Sequence, residues 1–143
     1  MKTRSLLQPV EYIWTGDPAL DKSHPSYSDE KYLAEFNMCH RPAKDGETPA
    51  VFRLAPLPRR VMQRLLKLDK SDQLFEAAIH SLSGVSGWEH NGTLVVLGEG
   101  HFTEAGGLRR LTDDWVDKLY DALLFMELGG AAIGASGIRP LSV

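Results

Sequence analysis

A single cysteine, Cys39, stands in the 143 residues of this chain. An intramolecular disulfide cannot form, a cysteine-rich zinc site is excluded, and the usage fits a reducing compartment. Long apolar runs are missing too: nothing approaches the roughly 18 consecutive apolar residues of a membrane span. The start is basic, but Gln8 and Pro9 interrupt the apolar stretch a signal peptide needs, so the cytoplasm is the expected place of synthesis. Neither sign of charge dominates. The net charge of −3 does not mark the chain as a whole as a binder of nucleic acid or anionic membranes. Internal repeats and low-complexity tracts are also lacking. What is present is a 43% hydrophobic and 24% charged composition, enough for the core of one ordinary globular domain.

The N-terminal 49 residues read as loosely built. Val10-Glu-Tyr-Ile-Trp14 is β-prone and ends at Gly16-Asp17-Pro18, so a short strand is expected there. Residues 15–31 and 42–49 are rich in Pro, Gly, Asp and Ser and predict loops, with Tyr32–His40 left open between helix and strand. This stretch is expected to be an irregular arm that orders against a partner, with Tyr27, Tyr32, Phe36 and Met38 as anchors.

Stronger signals follow. Val51-Phe-Arg-Leu54 alternates, putting Phe52 and Leu54 on one face and Val51 and Arg53 on the other. Pro56 and Pro58 end that strand, and Pro58 suits the first turn of a helix over about 58–68, with Val61, Leu65 and Leu68 as its stripe. A second helix from about Asp72 to Leu82, capped by Ser71, is expected to bury Leu74, Phe75, Ala78, Ile79 and Leu82, with Gly84 and Gly87 then releasing the chain. Asn91-Gly92 predicts a tight hairpin followed by a strand over Leu94–Leu97. Thr103 is read as capping a short helical turn reaching Leu108–Leu111. From Thr112 onward one long helix is predicted, its apolar stripe running through Trp115, Leu119, Ala122, Leu123 and Met126 and widened by Val116, Tyr120 and Leu124. Trp115 is expected to be its buried keystone.

The search for chemistry returns little. Histidines 24, 40, 80, 90 and 101 are scattered, and none pairs with another at metal-ligand spacing on a predicted element. The segment Gly98-Glu-Gly-His-Phe-Thr-Glu-Ala-Gly-Gly107 has the placement of a phosphate loop. It lacks the Gly-Lys-Ser/Thr ending, and Glu99 and Glu104 would repel phosphate. Asp114, Asp117 and Asp121 can share a helical face, which admits an acid pair or a hard-cation site. A solvated face favoured by the helix dipole explains them with fewer assumptions. No catalytic, cofactor-binding or metal-ligating residue is assigned.

Two surface patterns point to contacts instead. Arg60, Arg64 and Lys67 line up at i, i+4 and i+7 within a basic concentration that includes Arg53, Arg59 and Lys70. Such a stripe can meet nucleic acid, but the net charge favours simple solvation or pairing with the acidic face of the last helix, within one subunit or between neighbours. Gly130 and Gly134 are small residues four apart where another backbone can approach closely. Residues 138–143 read as an exposed tail.

The order of parts resembles a known group. The strand Val51-Phe-Arg-Leu-Ala-Pro-Leu-Pro58 runs into the basic helix, and the second helix ends in Gly84-Val-Ser-Gly-Trp88. Asn91 follows in a turn, and Leu111-Thr-Asp-Asp-Trp-Val-Asp-Lys-Leu119 leads to Glu127-Leu-Gly-Gly-Ala-Ala-Ile-Gly-Ala-Ser136. Over about residues 50–137 this is similar to small morphogenesis proteins encoded among the head and tail genes of tailed bacteriophages. That resemblance implies a non-enzymatic role without cofactor, as a virion head, neck or tail subunit or as a tail assembly chaperone that leaves before maturation. Its implied partners are other phage structural proteins or copies of itself, and its implied location is the virion after synthesis in the host cytoplasm. Two further alternatives stay open: a small cytosolic enzyme using the last-helix carboxylates, and a DNA-contacting accessory subunit using the basic helix. The expected fold is α+β, about three helices packed with a small antiparallel sheet, the irregular arm preceding a compact domain over 50–137.

Overall fold

The computed structural model describes residues 9–28, 41–90, 92–119 and 121–135. Its architecture is α+β, with helices packed on a small antiparallel sheet. Strand β1 (Val10–Tyr12) pairs with β2 (Val51–Leu54), which pairs with β3 (Leu82–Ser86), both antiparallel. Alternation in β2 does what the side-chain period requires: Phe52 and Leu54 are fully buried and Arg53 is exposed. Helices α1 (Arg59–Leu65) and α2 (Lys70–Ser81) follow β2. A two-stranded hairpin, β4 (Glu89–His90) and β5 (Thr93–Leu94), comes next. A 3₁₀ turn (Glu99–His101) then leads into β6 (Phe102–Ala105) and β7 (Leu108–Leu111). Helices α3 (Asp113–Leu119) and α4 (Ala122–Ala135) complete the described chain.

Several local expectations change in the structure. The α2 helix begins two residues earlier than expected. Asp69, not Ser71, is its N-cap, because the carboxylate accepts from the Asp72 amide at 2.9 Å. After α2 the chain is not released at Gly84 but continues as β3, with Leu82 buried as a strand residue. A bulge keeps this strand in step, since Arg53 faces Gly84 while Leu54 faces Leu82. The Gly92 turn (φ 78°) closes β4 on β5 as expected, but the second strand is only Thr93–Leu94, while Asn91 lies outside the described residues.

The segment read as a helical turn is a second hairpin. Gly106 and Gly107 both adopt positive φ, 62° and 78°, between the closing pair Ala105 and Leu108. Two consecutive left-handed residues make the turn whose twist matches flanking strands. Glycines that would weaken a helix therefore build a hairpin.

The single long helix is two. Asp121 sits at the break, its Oδ1 accepting from the amides of Leu123 (3.0 Å) and Leu124 (3.1 Å). Restarting the helix rotates its buried face. Leu124, Phe125, Leu128, Ala131 and Ala132 are buried, whereas Ala122, Leu123 and Met126, expected inside, are exposed. Trp115 is half-buried, not a sealed keystone; Val116 beside it on α3 is buried. The Leu119 side chain and Tyr120 lie outside the described residues.

Helices α2 and α4 pack closely across the core, with Phe75 stacked on Phe125 at 5.8 Å between ring centroids. The contact is tight at Gly129, where a Cβ would stand 2.0 Å from the carbonyl oxygen of Leu74. Close backbone approach is thus made by Gly129, one residue before the expected glycine. A Cβ on Gly130 would meet nothing within 4 Å. The buried cluster joins β1–β3 to α2 and α4 through Tyr12, Phe52, Leu54, Ile79, Leu82, Leu124 and Phe125. A second cluster, Leu57, Val61, Met62, Leu65, Ala77, Leu108 and Ala132, seats α1 beside it.

The described part of the N-terminal region is irregular, but it is anchored to this body. Asp17 is buried and bridges two segments, accepting from the amides of Ala19 (2.9 Å) and Ala50 (2.8 Å). Leu20, also buried, bridges to Ala43. Glu127 of α4 accepts from the Tyr12 hydroxyl, from the Thr15 hydroxyl and from the Thr15 amide, the last at 2.8 Å. Arg41 is buried, donates to the Ile13 carbonyl, and places its guanidinium 3.7 Å from Glu127. A charge so far from water persists because a carboxylate and a carbonyl meet it.

Candidate functional site

The stripe of cations on α1 opens onto a cleft. Pro58, extended at ψ 151°, directs the chain into the helix. Val61, Met62 and Leu65 turn inward, which leaves Arg60 and Arg64 on the outer face. After Leu65 the turn tightens, with the amides of Lys67 and Leu68 donating to Arg64 and Leu65 at 3.1 Å each. That closing turn keeps Lys67 on the side of Arg64. The cations predicted at i, i+4 and i+7 are brought together, and all are exposed.

Two adjoining depressions flank this stripe. One, of about 230 Å³, is floored by Val61, Leu65 and Leu68 and rimmed by Arg64, Lys67, Glu76 and His80. The other, of about 360 Å³, lies between Arg60, Gln63, Arg64 and Lys67 and the β6–β7 hairpin at Gly106 and Leu108. Arg60 donates to the Gly106 carbonyl at 3.2 Å, fixing the hairpin turn against α1. Leu66, highly exposed at 79%, stands between Arg64 and Lys67 in the chain. An apolar floor beside the exposed cations Arg64 and Lys67 suits an amphipathic segment carrying carboxylates.

His80 forms the far wall. Its Nδ1 lies 3.0 Å from the Arg109 carbonyl oxygen, which can only accept, so Nδ1 carries the proton. Nε2 faces Glu76 at 3.6 Å. Burial lowers the imidazole pKa below its ordinary value, against the opposing pull of the Arg109 carbonyl and Glu76, and nearby Arg64 and Arg110 add to the lowering. The ring is thus a neutral structural prop at neutral pH. No nucleophile stands beside it among the lining residues.

The remaining expected contact residues are dispersed. Tyr27 is half-buried in the N-terminal region, while Tyr32, Phe36 and Met38 lie outside the described residues. Gly130 and Gly134 are half-buried on α4. The acidic face divides. Asp121 is engaged as the cap of α4, and Asp113 pairs with Arg110 at 2.5 Å. Asp114 and Asp117 remain exposed on α3. Lys118 lies over the Trp115 ring at 4.3 Å, and His101 packs on that ring with centroids 3.7 Å apart.

Glu76, His80 and the β6–β7 hairpin were not legible as parts of the cleft. His80 carries no spacing signal, and Gly106-Gly107 suits a weak helical turn as well as a hairpin. Among the described residues no group of three or more His, Cys, Asp or Glu side chains is placed to hold a metal ion. No helix of the described residues is long and apolar enough to cross a membrane. Compared with known proteins, the chain matches no family model, no curated protein and no solved structure.

Proposed function

We propose that this chain is a non-enzymatic structural or assembly protein of a tailed bacteriophage, acting through protein–protein contacts. The cleft along α1 is its docking surface. The observation that carries this reading is the pairing of an apolar floor (Val61, Leu65, Leu68) with cations that point outward, Arg64 and Lys67. Among the described residues no ion pair within the chain uses Arg64 or Lys67. Cations already neutralised inside the fold would have little to offer a partner; these keep their charge for one. The sequence resemblance over residues 50–137 supplies the phage context, and the negative net charge weighs against DNA as the occupant.

Mass spectrometry of purified particles from the phage that encodes the chain tests this reading. Stoichiometric presence in mature particles is the expected result. Presence in assembly intermediates alone would make it a tail assembly chaperone. Absence from both, or retention of full incorporation by the folded Arg64→Ala/Lys67→Ala variant, would overturn the docking role.

A further inference from the structure

The same chain that carries the cationic cleft also carries an acidic surface that fits it. Asp114 and Asp117 on α3 are exposed, and among the described residues no ion pair uses either. They are three residues apart, as are Arg64 and Lys67. On helical turns, side chains so spaced lie on one face about 5–6 Å apart. The two surfaces therefore present charges of opposite sign at matching intervals.

Contact within one subunit is not how they are arranged. Arg60 is held to the hairpin turn at Gly106, whereas α3 begins just past the opposite end of that hairpin, after Leu111. A strand of this length, Leu108–Leu111, separates turn from base by roughly 10 Å at about 3.3 Å per residue. The carboxylate nearest the base, Asp113, is taken by Arg110. Lys118, the cation of α3, lies over the Trp115 ring at 4.3 Å.

We infer that the occupant of the cleft is α3 of a second copy of this chain, with Asp114 and Asp117 docking against Arg64 and Lys67. This rests on the docking role proposed above and names its partner. The contact joins two different surfaces, so it is heterologous: a pair of subunits keeps one free cleft, on one copy, and one free acidic face, on the other. Such contacts propagate into rings or open chains rather than stopping at a symmetric dimer.

Sedimentation velocity of the full chain over a range of concentrations at low ionic strength tests the inference. The expected result is concentration-dependent association that weakens as salt is added. Arg64→Ala/Lys67→Ala and Asp114→Asn/Asp117→Asn should each weaken it about tenfold, the loss expected when a pair of complementary contacts is removed. Mixing the two variants is the decisive arm. One retains the acidic face and the other the cleft, so the mixture should form one-to-one dimers that do not grow. A monomeric parent at all concentrations, or association that either folded variant leaves untouched, would overturn the inference. So would a mixture that stays monomeric. Incorporation into particles by a chain that never self-associates would sink this pairing while leaving the docking role intact. Self-association by a chain absent from particles and intermediates would do the reverse.

Discussion

Two charged regions of this molecule behave as opposites. Around Glu127, the carboxylate, the Arg41 guanidinium, the Tyr12 and Thr15 hydroxyls and an amide are folded into one another, with the Arg41 side chain only 2% exposed. Along α1, Arg64 and Lys67 stand in solvent over an apolar floor. The first region is engaged within the fold and binds β1 and the following turn to α4. The second leaves its charge unspent inside the chain. The contrast separates groups that hold the fold from groups that can be offered to a partner. It is a better guide than residue type, because both regions contain arginine.

The contrast can be broken most forcefully at Glu127. Glu127→Ala strands Arg41 in the interior without its carboxylate, and removal of one member of a buried pair costs about 3–5 kcal/mol. Denaturant titration of parent and variant should show the unfolding free energy falling by that amount, through a lower midpoint with little change in slope. An unchanged midpoint would mean the cluster is open to water. Trp115→Ala is the intermediate case. Truncating a fully buried large aromatic costs about 3–5 kcal/mol, so half-burial points to a loss nearer about 2 kcal/mol. A lowered but still cooperative thermal melt is the outcome that fits, and outright loss of folding would restore the keystone expected from the sequence.

A subtler probe is pH. His80 has a folded-state pKa below its ordinary value of 6.5, chiefly because burial disfavours the imidazolium. The unfolded chain then binds more protons than the folded one between the two values. The stabilisation from the neutral ring is complete above about pH 6.5 and is lost as pH falls from there toward the lowered value. Stability measured from pH 7.5 down to 5.5 should decline less steeply in His80→Gln than in the parent. Identical slopes would place the ring in free exchange with solvent. The smallest effect belongs to the cleft: Arg64→Ala/Lys67→Ala should leave stability within about 0.5 kcal/mol of the parent. A larger loss would move these residues into the class of Glu127.

The parts of this fold that were legible in the sequence rest on local chemistry. Val51–Leu54 alternates and is stopped by prolines, α1 follows Pro58, and a turn at Gly92 closes a hairpin, each within a few residues. The stripe Arg60, Arg64, Lys67 was readable for the same reason. Elsewhere the local signal supports two structures and tertiary packing chooses. Gly106-Gly107 weakens a helix and also builds a tight hairpin. Asp121 reads as one more carboxylate of a solvated face, yet its side chain ends one helix and starts another, shifting which apolar residues are buried. The cluster at Glu127 has no local signature at all. It joins Tyr12, Thr15, Arg41 and Glu127, and no periodicity connects residues so far apart.

That separation sets a timetable for synthesis. Tyr12 and its carboxylate partner are 115 residues apart. A ribosome adding roughly 5–20 residues per second needs about 6–23 s to make the second after the first. From the moment β2 has been made until α4 emerges, β1 and β2 exist while the helix that packs in one cluster with Phe52 and Leu54 does not. The nascent chain must carry an uncovered apolar sheet face, and its folding can close only when Glu127 has emerged. Until then the N-terminal strands are exposed to misassociation with neighbouring nascent chains, and a chaperone that shields Phe52 and Leu54 would raise the yield of folded protein.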